Sequence, residues 1–202
     1  MKLYYAPGTC SLVPHILLRE TGTPFSLARV DLKRHLIEGE GDLHAVNPKG
    51  KVPVLELADG RRLTEGPVIA QFIAERAGDR ALLPDTGDPS RYRVLEWQAY
   101  ISSELHKCFS PLFNPALDPA SRQVFLAELR RKFVWIDAQL ADRGFLHGSH
   151  FTLADAYLFT VAGWSRLVGP DLADLRHLQD FLSGIAARPA VQEAMRAEGM
   201  PA

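Results

Sequence analysis

Residues 2–18 read KLYYAPGTCSLVPHILL. The apolar run from Lys2 to Ala6 is stopped by Pro7-Gly8, which is turn chemistry, and predicts a strand over 2–6. Ser11, a good helix N-cap, opens the apolar run Val13 to Leu18 and predicts a helix over 12–21. Pro14 falls in the first turn of that helix, where its missing N–H costs little. Cys10 lies in the turn between strand and helix. Unpaired N–H groups and the macrodipole at a helix start favour an anion, so a thiol held there can ionise below its usual range and act as a nucleophile. Unpaired cysteines also serve as small buried hydrophobes, and position alone leaves both readings open.

The pattern continues outward with a strand over 25–31, a short irregular helical stretch near 42–46, strands over 53–57 and 61–64, and a helix over 67–77. Asp59-Gly60 between the last two strands is a hairpin signal. Strand, helix, strand, then a hairpin and a closing helix predict an α/β sheet of about four strands, mixed in direction. The segment from Gly78 to Pro89, GDRALLPDTGDP, is rich in Gly, Pro and Asp, and beyond it the periodicity is helical only. The expected organisation is therefore an α/β domain over 1–79, a linker over 80–88 and an all-α domain over 89–202.

In the second domain Val94, Trp97, Ile101, Leu105, Cys108 and Leu112 form one apolar stripe, and Leu126, Leu129, Phe133, Ile136 and Leu140 another. Cys108 lies about 200° around its helix from His106 and is expected in the core. A different face carries Ala99, Ser102, Ser103, His106, Phe109, Ser110 and Phe113, a mixed polar and aromatic surface that suits the wall of a cleft. Thr152 and Asp155, three apart at the start of an apolar helix, form a near capping box with a structural role.

Composition excludes several functions. The 202 residues carry 23 Lys and Arg against 24 Asp and Glu, which leaves no polycationic surface for nucleic acid. No stretch approaches the ~20 apolar residues of a membrane span, and no leader pattern opens the chain, so a cytoplasmic location without membrane partners is expected. Two cysteines far apart make no disulfide framework, which agrees with a reducing compartment. The histidines, including the pair in His147-Gly148-Ser149-His150, lack companions at metal spacing, and no phosphate-binding glycine loop occurs, so neither a metal nor a nucleotide is expected.

Four stretches carry a resemblance: KLYYAPGTCSLVPHI from Lys2, NPKGKVPVLEL from Asn47, LTEGPVIAQFIAE from Leu63 and SSELHKCFSPLFNP from Ser102. Together with near-equal length they resemble the bacterial beta class of cytosolic glutathione transferases, which have a thioredoxin-like domain followed by an all-helical one. The resemblance implies an enzyme that conjugates glutathione to small apolar electrophiles, or runs glutathione-dependent thiol redox chemistry through Cys10. No cofactor is bound tightly on this reading; glutathione is a co-substrate and can form a mixed disulfide with Cys10. Val13 stands where a dithiol site has its second cysteine, so an external thiol must clear that disulfide.

The residue roles it implies are these. Cys10, His106, Tyr5 and Ser11 act on the glutathione sulfur, with His106 facing Cys10 across the domain cleft. Cys10, His35, Lys51, Val52, Pro53, Glu65, Gly66, Ser103, Glu104 and His106 bind glutathione, with Val52-Pro53 a cis turn against its cysteinyl part and Glu65 on the γ-glutamyl ammonium. Thr9, Phe109, Phe113, Tyr157 and Trp164 wall the second-substrate site. A homodimer is implied, with the partner near the helices around 67–77 and 90–113. Two positions depart from the pattern: His35 replaces a lysine that reaches the glycyl carboxylate, and Ala99 replaces an asparagine that the partner subunit contributes. A catalytically idle carrier or interaction protein on the same scaffold stays open as the alternative.

Overall fold

The structure, a computed structural model, describes residues 1–141 and 143–201. In the first unit β1 (Lys2–Tyr5) leads through the Cys10 turn into α1 (Leu12–Glu20) and β2 (Ser26–Asp31). β3 (Leu36–Ile37), β4 (Gly41–Asp42) and a single 3-10 turn, Leu43–Ala45, follow, then β5 (Val54–Glu56), β6 (Arg62–Thr64) and α2 (Gly66–Ala77). The sheet order is β4-β3-β2-β1-β5-β6, and only β1 and β2 run parallel. Six strands replace the expected four or so, because β3 and β4 are two residues each and too short to show a period. Alternation along β1 sends Tyr4 and Ala6 to one face, into a core with Ala28, Val30, Ile37, Leu43, Val52 and Val54. Leu3 and Tyr5 take the opposite face. The Asp59-Gly60 hairpin forms as expected, with Gly60 at φ 83° and Leu57 N–H donating to the Arg61 carbonyl at 2.8 Å.

The second unit, Pro84–Ala186, is helical. α3 (Pro89–Tyr100) runs on through a π-helical turn, Ile101–His106, into the three-residue α4 (Lys107–Phe109) and a 3-10 turn, Ser110–Phe113. α5 (Pro119–Leu140), α6 (Leu153–Gly163), α7 (Ser165–Val168) and α8 (Arg176–Ala186) complete it. Asp88 and Asp118 cap α3 and α5 through the N–H groups of Ser90 and Ser121, each just ahead of a helix-opening proline. Both apolar stripes point inward: Val94, Ile101, Leu105, Leu112, Leu129, Phe133, Ile136 and Leu140 are buried. Asp155 is fully buried and accepts from the Thr152 N–H at 2.8 Å, the Thr152 hydroxyl at 2.6 Å and the Leu146 N–H at 2.8 Å. Among the described residues no helix is long and apolar enough to cross a membrane.

The last helix, α9 (Pro189–Ala197), was expected with the helical domain, but residues from Ala187 on pack with the first unit. α9 lies against α1. Its ties are polar as well as apolar: Arg188 reaches Glu20 at 2.7 Å, Arg19 reaches Glu193 at 3.1 Å, and the buried His15 ring meets Glu198 at 2.8 Å. Helical periodicity shows that α9 has an apolar face but not which unit covers it.

Candidate active site

The turn from Ala6 to Ser11 is built to hold Cys10 in place. Thr9 Oγ donates to the Ala6 carbonyl at 2.8 Å, Ser11 Oγ accepts from the Ala6 N–H at 3.1 Å, and the two hydroxyls are 2.8 Å apart. The Gly8 N–H donates to Glu198 at 2.9 Å, and the other oxygen of that carboxylate takes His15 Nδ1. Cys10, partly exposed, sits ahead of the first turn of α1 and donates through its thiol to the Val52 carbonyl at 3.5 Å. The Val52-Pro53 bond is cis.

These contacts correct two expectations. Ser11 occupies the N-cap position with helical backbone and caps nothing; fully buried, with its hydroxyl spent on Ala6 and Thr9, it is a brace for the turn and not a donor to a ligand sulfur. Thr9 is likewise committed to the turn and not to a second substrate. Tyr5 is buried with its ring against His15, and the charges acting on its phenol are those of Glu198, Arg29 and Glu38. Burial holds that phenol above its ordinary pKa. It too belongs to the α1 packing.

Glu65 is one of two non-glycine residues at positive φ among the described residues, at 69°; the other is His35, at 54°. Such a backbone costs of order 1–3 kcal/mol and is found where function holds a side chain in an otherwise poor conformation. Here it turns the exposed Glu65 carboxylate beside Lys49, which also donates to Thr64 at 2.8 Å, just before α2 starts at Gly66 and Pro67. The start of α2 is thus a helix N-terminus beside a carboxylate suited to an ammonium, although Pro67 has no N–H and the Ile69 N–H already donates to the Glu65 carbonyl at 3.0 Å. Lys51 is exposed and its carbonyl accepts from Asn47 Nδ2 at 2.8 Å.

In the helical unit His106 ends the π turn. Its Nδ1 is 2.7 Å from the Tyr157 hydroxyl, and Trp164 packs on the ring edge-on at 4.9 Å between centroids. Burial, reinforced by Lys107, depresses its pKa to about 4, so the imidazole is neutral near pH 7. Tyr157, expected as a second-substrate wall, is buried and is instead the hydrogen-bond partner of His106. Phe109, expected on the same wall, is fully buried between Phe133 and Trp164 and lines nothing open. Phe113 is exposed and leans on Trp164 at 5.7 Å between centroids. Ser103 and Glu104 are exposed, and Glu104 is taken by Lys132 at 2.9 Å, which holds its carboxyl below the usual range. Cys108 points the other way, toward the Phe125 carbonyl of α5, and burial pushes its thiol up. Among the described residues no group of three His, Cys, Asp or Glu is placed to hold a metal.

Residues 8–76 match the family model described as Glutathione S-transferase, N-terminal domain, and residues 119–197 that described as Glutathione S-transferase, C-terminal domain. The chain is 46% identical to glutathione S-transferase GstA of Escherichia coli O157:H7, over 99% of this chain and 100% of that one. The chain belongs to the glutathione S-transferase family. Two solved structures with 41% identity, each covering 100% of both chains with a TM-score of 0.95, are a sphingomonad glutathione S-transferase complexed with glutathione and the bacterial beta class enzyme of Sphingomonas chungbukensis. Within the family its place is the bacterial beta class, and its activity is that of a glutathione transferase.

For a glutathione transferase of this kind, several residues of consequence gave little signal in the sequence. Glu198 holds the Cys10 turn from nearly the far end of the chain. Its partner His15 offered one hint, an imidazole inside an otherwise apolar helix run, which requires a buried polar partner. Lys49 beside Glu65 and Lys132 beside Glu104 depend on tertiary placement. The π turn breaks the 100° step on which helix-face arguments rest, and such turns gather at functional sites.

The depressed pKa of His106 has a stability consequence. The unfolded imidazole binds its proton near pH 6.5 and the folded one only near pH 4, so this contribution is complete above about 6.5 and is lost as pH falls toward 4. Urea unfolding at pH 7 and 4.5 should show wild type losing about 2 kcal/mol more than His106→Gln over that interval. Equal losses would contradict the buried, neutral imidazole.

Proposed function

We infer that glutathione lies along the first unit with its γ-glutamyl end at Glu65 and the start of α2, its cysteinyl backbone against Val52, and its sulfur at Cys10. The observation that carries this reading is the Cys10 thiol at the Val52 carbonyl beside cis Pro53. A peptide that pairs with Val52 as an added strand brings its own sulfur to Cys10. In the redox reaction the Cys10 thiolate attacks the glutathione sulfur of a glutathione mixed disulfide, forming a Cys10–glutathione S–S bond as the old S–S bond breaks and the other thiolate leaves. A second glutathione thiolate then attacks the mixed disulfide and restores Cys10 as glutathione disulfide leaves. In conjugation the glutathione thiolate itself displaces a leaving group from a small apolar electrophile. The family resemblance gives His106 a share in stabilising the thiolate, and in the neutral tautomer whose Nδ1 accepts from the Tyr157 hydroxyl the remaining Nε2–H is the donor. The working compartment is the cytoplasm, where the cysteines stay reduced.

Glu65→Gln keeps the side chain's size and removes its charge. Calorimetric titration should show glutathione affinity falling by about 1.5–3 kcal/mol with the melting temperature unchanged. Unchanged affinity would displace the γ-glutamyl end from Glu65. The working form is a homodimer, and sedimentation equilibrium at micromolar concentration should give twice the chain mass; a single species of one chain mass would contradict it.

A further inference from the structure

Lys132 is an unusual core residue. It lies on α5 between the buried Leu129 and Ile136 and is itself only 9% exposed. A lysine stem can run along apolar surface, but its ammonium ordinarily stays in water. Here Nζ is 3.0 Å from the backbone carbonyl of Glu104, 2.9 Å from that residue's carboxylate and 3.3 Å from Glu128 of its own helix. The two carboxylates offset the cost of withdrawing the ammonium from water, but neither of them accounts for the contact to a main-chain oxygen.

That oxygen belongs to the π turn, Ile101–His106. Such a turn exchanges i→i+4 pairs for i→i+5 ones and so accommodates one extra residue. Two of its carbonyls are held by side chains: Glu104's by Lys132, and His106's by the Ser110 hydroxyl at 3.2 Å. Were the turn to relax to α geometry, the extra residue would be given up and His106 would move by one helical step, about 100° around the axis and about 1.5 Å along it. The imidazole would then leave the Tyr157 hydroxyl, now 2.7 Å from Nδ1, and the edge of Trp164.

We propose that Lys132 is a positioning residue for His106: its ammonium, fastened to the Glu104 carbonyl, keeps the π turn from relaxing and so fixes where the imidazole points. The inference rests on the reading that gives His106 a share in stabilising the glutathione thiolate. Lys132 acts through the backbone, because the charge that bears on the imidazole is that of Lys107. Placement of this kind matters to rate, since a catalytic group displaced by about 1 Å can lose about a hundredfold.

The test separates the contacts of Lys132. Lys132→Met keeps the length of the buried stem and loses the donor, Lys132→Arg keeps a charged donor, and Glu128→Gln breaks an ion pair but leaves the carbonyl contact in place. Nitrogen-15 NMR of the histidine side chains at pH 7, with His106 assigned by its loss in His106→Gln, should show one neutral tautomer in wild type, Lys132→Arg and Glu128→Gln, and a mixture in Lys132→Met. With an aryl halide, Lys132→Met should lose about tenfold in kcat at an unchanged KM for glutathione, Lys132→Arg should recover most of that loss, and Glu128→Gln should stay within about twofold of wild type. In a His106→Gln background Lys132→Met should cost nothing further. Melting curves confirm the fold of each variant, and Lys132→Gln, too short to reach the carbonyl, takes the place of Lys132→Met with the same expectation should that variant not fold. An unchanged His106 tautomer in the variant without the donor overturns the proposal, and so does a loss in Glu128→Gln equal to that in Lys132→Met. Wild-type kcat in His106→Gln overturns the thiolate reading instead, and the tautomer then decides the positioning by itself.

Discussion

Cys10→Ala should abolish glutathione-dependent disulfide reduction and leave measurable conjugation. Reduction passes through a covalent bond to the Cys10 sulfur, and no neighbour can replace it: Val13 occupies the position of a second thiol, and Cys108 faces the core of the helical unit with a raised pKa. Conjugation needs only glutathione's own thiolate, which a helix N-terminus such as the start of α1 favours. The two activities should therefore separate, by at least a hundredfold in their ratio, when the variant is assayed with a small mixed disulfide and with an aryl halide. Melting curves guard against a folding defect, which is not expected because the turn is held by Ser11, Thr9 and Glu198 and not by the thiol. Full reductase activity in Cys10→Ala would rule out the mixed-disulfide route.

Asp155→Ala should be the most destabilising single change in the chain among those considered. The carboxylate satisfies the Leu146 N–H, the Thr152 N–H and the Thr152 hydroxyl, all buried, and its removal leaves three donors with no water to turn to. At ~1–3 kcal/mol for each unsatisfied group, with partial relaxation, the expected loss is about 3–5 kcal/mol, a large part of an ordinary domain's stability. Urea unfolding of the helical unit's tryptophans measures it. A midpoint unchanged from wild type would show that the network is dispensable. Burial raises this carboxyl to about 6 against the pull of its donors, so the stability that comes from protonating it in the folded state is complete below about 3.8 and is lost as pH rises through 6. That is opposite in sign to His106 over the same interval, and the two offset each other in wild type.

The fold was legible wherever a period or a turn signal ran long enough. Lys2–Tyr5, α1, the Asp59-Gly60 hairpin and the stripes of α3 and α5 all carry their partners' requirements in local sequence. β3 and β4 did not, since two residues have no period. The cis Val52-Pro53 bond is the form that the resemblance implies. The hydroxyls of Ser11 and Thr9 are spent within their own turn, because sequence adjacency to Cys10 does not say whether a hydroxyl points out to a ligand or back. Tyr157 and Phe109 failed on burial, which an aromatic spacing leaves undetermined. Glu198 at the Cys10 turn is a tertiary fact, created by chain segments that only folding brings together.

Everything proposed for the first unit turns on whether glutathione's sulfur meets Cys10. Intact mass of the protein after incubation with glutathione disulfide, with and without a reductant, measures that directly. The account predicts one glutathione-sized adduct per chain, removed by reductant and mapped to the peptide containing Cys10, with Cys108 unmodified. No adduct, or one carried on Cys108 alone, would contradict it.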